Sequence, residues 1–259
     1  MGGGRVLRAS LETPRFLMRD EHESQLKGEA GAPADRYAIR YYQRLWAEGG
    51  LMGTLERVNG HGFVMACPGR SSDVIHMYVW IVDGCIQDIR WQCHMCDPWM
   101  QVAGDILCHL AQGAPSAGVL QWTWEDFERR LGGRSTLIVE HAGAAMLTLH
   151  KAVIDHQVRL CLADQRNGAT NLDPALKLRE LGFVGRAGQQ HLRRRLEETF
   201  AAFDLHLPHV KMQEWVALGT VQDVSLTVQT SVERQVIQRI LGQGCGFPRS
   251  FEEQLAAQA

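Results

Sequence analysis

The stretch "DVIHMYVWIVDGCIQDIRWQCHMCDPWM", residues 73–100, constrains the fold more than any other part of the chain. Asp83-Gly84 sits between two apolar runs, and that dipeptide marks a tight hairpin turn. In the first arm Ile75, Met77, Val79 and Ile81 alternate with Val74, His76, Tyr78 and Trp80. One face is wholly apolar and the other amphipathic, as expected of an antiparallel sheet with one face on the core. Past Cys96 the period changes. Asp97 suits a helix N-cap and Pro98 the first helical position, with the helix running on towards Gly113.

The flanking segments extend this frame. "PADRYAIRYYQRLWAEGG" predicts a helix with Ala38, Tyr41, Tyr42 and Leu45 on one face and Gly49-Gly50 as its stop. "GTLERV" and "GFVMAC" read as strands, and "STLIVE" as extended. "TWEDFERRLGG" predicts a short helix with Thr123 and Asp126 as a capping box. "HAGAAMLTLHKAVIDHQVRLCL" predicts a long helix with Ala145, Leu149, Ala152 and Val153 inward. Beyond the linker-like "ADQRNGATNLDP", four segments read as helical: "LDPALKLRELGF", "AGQQHLRRRLEETFAAFDL", "VKMQEWVAL" and "VSLTVQTSVERQVIQRILGQG". In the last of these, Val228, Val232, Val236 and Leu241 form a stripe widened by Ile237 and Ile240, which needs a cover. The expected class is α+β: a three-stranded antiparallel sheet with packed helices, then an all-helical C-terminal extension. Expected boundaries are a flexible N-terminal arm over 1–32, an α+β domain over 33–163 and the extension over 171–259.

Charge narrows the function. The formal net charge is -2, and the densest basic run, "HLRRRLEE", carries its own acidic neighbours. That pattern fits a solvated helix face and argues against nucleic acid as a partner. No apolar run reaches the length of a membrane span. The N-terminal segment lacks the apolar stretch of a signal peptide, and Val6 stands where a myristoylation motif wants Ser or Thr. Seven cysteines without a secretory context read as cytoplasmic thiols.

Cys93 and Cys96 form the one Cys-x-x-Cys pair. Cys96 precedes a helix N-terminus, whose dipole and free amides favour a thiolate. Cys85 lies eight residues back along the strand, roughly 26 Å away. Cys108 lies twelve residues on, roughly 18 Å along the helix. Neither can share an ion with the pair. Zinc usually wants four ligands, so the further donors must come from Cys67, Asp73, His94 or His141. Spacing alone leaves three readings open: metal ligands, a dithiol redox pair, or packed thiols.

The order of elements resembles the IscU-like, NifU N-terminal family of iron–sulfur cluster scaffolds over residues of about 35 to 160. The hairpin carries Gly84, Ile86 and Asp88 in the family's G-x-I-x-D pattern, followed by Ile89, Arg90 and Trp91. Cys96 stands where the family has its second cysteine, before a helix. "VEHAGAAMLTLHKAVIDH" fits the motif at the start of the family's long helix, with His141 in register. The chain departs from the family at two positions. With Asp73 in register, the family's first cysteine falls on Ser71, and Cys67 replaces it only if the loop is rearranged. The third cysteine falls on Ala142. Cys93 is an addition that can compensate.

The resemblance implies a ligand set drawn from Cys93, Cys96, Asp73, His141 and Cys67, with an iron–sulfur cluster, iron or zinc as cargo. It implies a non-enzymatic scaffold or carrier whose partners are an apo iron–sulfur protein, a redox-enzyme subunit or a cysteine desulfurase. The missing cysteines also admit an accessory subunit of a redox metalloenzyme, such as a hydrogenase, that keeps the fold without a cluster. A thiol redox role for Cys93 and Cys96 is a third expectation.

Overall fold

The architecture is built around the predicted hairpin. The structure is a computed structural model that describes residues 32–65, 74–94, 96–163, 172–209 and 219–257. The expected N-terminal arm lies outside these residues except for Ala32, as do Ser71, the segment "VKMQEWVAL" and most of the linker.

Helix α1 (Pro33–Glu48) starts on its proline and buries Ala38, Tyr41, Tyr42 and Leu45. Gly49 ends it in the left-handed conformation, with its N–H returning to the Leu45 carbonyl at 2.8 Å. Three antiparallel strands follow, in the order β1 (Gly60–Met65), β2 (Val74–Val82), β3 (Cys85–Cys93). Asp83 and Gly84 both have positive φ, 49° and 75°, as a two-residue primed turn requires. Ile75, Met77, Val79 and Ile81 are buried as the alternation predicts. A bulge near Trp80 and Ile81 shifts the register between β2 and β3.

"GTLERV" forms no strand. Leu51 and Gly53, just before and at its start, exchange backbone hydrogen bonds with Trp91. At its end, the Asn59 side chain donates to the Ile81 carbonyl (2.7 Å) and accepts from the Ile81 N–H (2.9 Å). That amide takes the ladder position a preceding strand residue would fill, so pairing begins at Gly60.

Helix α2 (Pro98–Ala111) begins where the sequence changes period, with Asp97 accepting from the Trp99 N–H at 2.9 Å. Short helix α3 (Ser116–Val119) and α4 (Trp124–Leu131) follow, and Asp126 accepts from the Thr123 N–H at 3.0 Å as the capping box predicts. "STLIVE" is not extended but a turn running into the next helix. Asp35 explains this: it accepts from the Ser135 hydroxyl (2.7 Å) and from the Thr136 N–H (2.8 Å) and hydroxyl (3.0 Å). These bonds hold the segment in a turn despite its β-branched residues.

Helix α5 (Val139–Leu162) is the central element, buried on nearly every side from Ala142 to His156. It packs on β1, β2 and α2, and also on α6 (Gly185–Ala201) and α7 (Val221–Gly242). Its approach to β1 is so close that a Cβ on Gly62 would collide with the Thr148 carbonyl. "LDPALKLRELGF" is not helical. It is a series of turns that pairs Lys177 with Thr220, next to the start of α7. Turn bonds within it alternate with bonds that leave it: the Leu178 N–H goes to Gly219, and the Leu176 carbonyl accepts from Val221. Helix α8 (Arg249–Ala257) closes the described chain. The α7 stripe is covered at Val228, Val232, Val236, Ile237 and Ile240, while Leu241 is exposed. Residues 32–259 form one compact unit.

Two buried carboxylates lock these layers together. Asp155 on α5 accepts from the His61 N–H (2.8 Å), from Arg159 Nε (2.9 Å) and from the Ser225 hydroxyl, joining β1, α5 and α7. Asp105 on α2 accepts from the Tyr41 hydroxyl (2.6 Å), the Leu51 N–H (2.7 Å) and Trp91 Nε1 (2.7 Å), joining α1, β3 and α2. Burial and the Asp105 carboxylate together push the Tyr41 phenol well above its ordinary range, so it stays a donor.

Candidate functional site

Cys93 closes β3 and Cys96 lies two residues before α2, so the change from strand to helix brings both thiols to one corner. Their sulfurs are joined as a disulfide across a Cα separation of 5.9 Å. Cys93 is half-buried, whereas Cys96 is 2% exposed. Gln101 steadies the corner by donating from Nε2 to the Cys96 carbonyl at 3.0 Å.

His141 arrives from elsewhere in the chain. It occupies the first turn of α5, which packs on α2, and its Nε2 lies 3.6 Å from Asp97 Oδ1. Its Nδ1 is buried with no hydrogen-bond partner among the described residues. Burial lowers the His141 pKa below its ordinary value, opposed by the Asp97 and Glu140 carboxylates. The neutral form therefore prevails at pH 7, which a metal-binding imidazole needs.

Aromatic side chains wall this region. Tyr42 lies 6.1 Å from Trp99 between ring centroids and 6.4 Å from Trp46. Burial, and then the Asp97 charge, raises the Tyr42 pKa.

Of the five residues expected in the site, the structure joins Cys93 to Cys96 and sets His141 against Asp97, the residue that follows Cys96. Cys67 and Asp73 lie outside the described residues. Among the described residues, no group of three or more His, Cys, Asp or Glu is arranged to hold a metal. With the sulfurs joined, the thiolates that a soft or borderline ion needs are absent. With the bond reduced, two sulfurs and the unpartnered imidazole supply donor types that suit zinc or iron. Asp97 is the residue that sequence reasoning placed only as a cap. It links the Cys96 side of the corner to His141, and its position directly after the second cysteine was the available signal.

Cys85 lies at the opposite end of β3, next to the turn. Cys108 is fully buried in α2, and burial pushes its thiol well above the ordinary range. Neither joins the corner, in line with the reach argument. Ala142, next to His141, is completely buried and offers no donor.

A second polar cluster lies on the other face of the sheet. His61 Nε2 and His76 Nδ1 are 3.0 Å apart, and their rings are nearly coplanar, at 9°. The centroid separation of 5.3 Å places the two nitrogens almost on the line between ring centres, which suits a shared proton. His61 also lies parallel to Tyr78 at 4.8 Å. Burial, and then His76, pushes the His61 pKa down to about 4.

No helix among the described residues is long and apolar enough to cross a membrane. The sequence matches no known protein-family profile and no curated protein.

Proposed function

We propose that this chain is a divergent iron–sulfur cluster scaffold or carrier that acts by handover, not catalysis, and serves a particular apo-metalloprotein in the cytoplasm. One observation carries the reading: Cys93 and Cys96 pair just before α2, and His141, 45 residues further along the chain than Cys96, reaches Asp97 next to them. The α1–sheet–α2–α5 order that creates this meeting is the order expected of an IscU-like domain. In this reading the reduced Cys93 and Cys96 thiolates and the His141 imidazole hold the cargo, an iron–sulfur cluster, iron or zinc. Cys67 or Asp73 completes the set. A cysteine desulfurase as sulfur donor and an apo iron–sulfur protein or redox-enzyme subunit as acceptor are the partners this chemistry calls for.

A second reading has its own support. Ala142 is a buried methyl where the family carries a thiol, and the two remaining sulfurs are joined. Both features fit an accessory subunit of a redox metalloenzyme, for example a hydrogenase, that keeps the scaffold fold without a cluster. Iron and acid-labile sulfide assays on anaerobically purified protein, with a visible spectrum, separate the two. Stoichiometric iron and sulfide favour the carrier. Neither metal nor sulfide, with stable association to a redox-enzyme subunit, favours the accessory role.

A further inference from the structure

We propose that Cys93 and Cys96 are a reversible dithiol–disulfide couple that gates metal loading at this corner, with Cys93 the sulfur an incoming thiol attacks. The inference rests on the metal-handling reading above and adds its regulation.

Pairing follows from placement. The Cα atoms stand 5.9 Å apart, within the usual range of about 4.4–6.8 Å for a disulfide. The bond therefore closes and opens without moving β3 or α2. Competing thiols are kept away among the described residues. Cys108, Cys161 and Cys245 are buried, and burial raises each thiol above its ordinary pKa. Cys245 packs on Met146 with its sulfur 3.5 Å from the thioether, and Cys161 lies 3.1 Å from the Thr199 hydroxyl. Cys85 sits at the far end of β3.

Access sets the direction of attack. Cys93 is half-buried and Cys96 is 2% exposed, so an external thiolate reaches Cys93. The reductant is a dithiol. Its first thiolate forms a bond to Cys93 Sγ, the Cys93–Cys96 bond breaks, and the Cys96 sulfur leaves with the electron pair and takes up a proton. The second thiolate then attacks the reductant's own sulfur in the mixed disulfide and releases Cys93 as a thiolate, which is protonated or taken up by metal. The reductant leaves as a disulfide, and the chain has gained two electrons. Oxidised, the two sulfurs are spent on each other. Reduced, both become available as thiolate donors, with His141 reaching the neighbouring Asp97.

The test uses the full, untagged chain, air-oxidised or treated with dithiothreitol. Alkylation in denaturant followed by mass measurement should find five modified cysteines in the oxidised chain, the seven of the sequence less the joined pair, and seven after reduction. The two recovered sites should map to Cys93 and Cys96. Equilibrium dialysis against Zn2+ should show affinity falling by about tenfold or more on oxidation. The Cys93→Ser variant, altered at the half-exposed position, should bind zinc weakly in both states. Seven modified cysteines in the oxidised chain overturn the couple. Equal zinc binding in both states overturns the gating but leaves the metal reading standing. A reversible disulfide with zinc bound in neither state overturns the metal reading, and the gating falls with it.

Discussion

The Asp155 and Asp105 clusters and the Cys93–Cys96 corner are all polar groups set into apolar surroundings, but they are completed differently. Asp155 receives three donors from β1, α5 and α7, and Asp105 receives three from α1, β3 and the loop after α1. At the corner, the two sulfurs are joined to each other, and His141 Nδ1 is buried without a partner among the described residues. A satisfied buried network holds structure, because each donor removed leaves another group unpaired. A buried polar atom left open is where a ligand or a second state can act. The clusters around the two carboxylates therefore carry the fold, and the corner is where the proposed metal chemistry is placed.

The largest effect should come from breaking the closed side of this comparison. Asp155→Ala leaves Arg159 and Ser225 buried without their acceptor, and should cost about 3–5 kcal/mol in urea unfolding. A loss below about 1 kcal/mol would mean that the network is incidental.

Next comes the contact that lets α5 reach the sheet. Gly62→Ala sets a methyl against the Thr148 carbonyl, so β1 and α5 must part. A loss of about 1–3 kcal/mol is expected. Stability equal to wild type would show that β1 lies further from α5 than the geometry here.

Acid should act on the same layers. Burial, with His76 beside one and Arg239 beside the other, holds the His61 and His150 pKa values down to about 4, against an ordinary 6.5. Between those values the unfolded chain binds protons that the folded chain refuses, so stability falls as pH falls. The melting temperature should drop steadily from about pH 6.5 to pH 4. A flat profile across that window would contradict neutral buried imidazoles.

The smallest stability change belongs to the corner. Cys93→Ser in reducing buffer should shift unfolding by less than about 1 kcal/mol, since the half-buried thiol supports no network. A loss as large as that of Asp155→Ala would erase the distinction between the two regions.

Features written in neighbouring residues were legible in the sequence. Asp83-Gly84 declared its turn, Asp97-Pro98 its helix start, and Thr123 with Asp126 its cap, because each depends on side chains no more than three residues apart. The errors share one cause. "GTLERV", "STLIVE" and "LDPALKLRELGF" are shaped by distant partners: Trp91 and Ile81, Asp35, and Gly219 with Val221, respectively. Local propensity cannot register bonds of that length. The candidate site divides in the same way. Cys93 and Cys96 announced themselves by spacing, whereas the Asp97–His141 contact needs α2 packed on α5. The cover of the α7 stripe by its own chain was likewise a matter of packing rather than pattern.

Anaerobic titration of the reduced full chain with Co2+ tests the central claim most directly, because cobalt reports thiolate ligation by its near-ultraviolet charge-transfer absorption. The account predicts a band that saturates near one equivalent. The band should disappear in Cys93→Ser and in Cys96→Ser, weaken in His141→Ala, and persist in Cys108→Ser. No band in the wild type, or an undiminished band in both the Cys93 and Cys96 variants, would contradict a metal site at this corner.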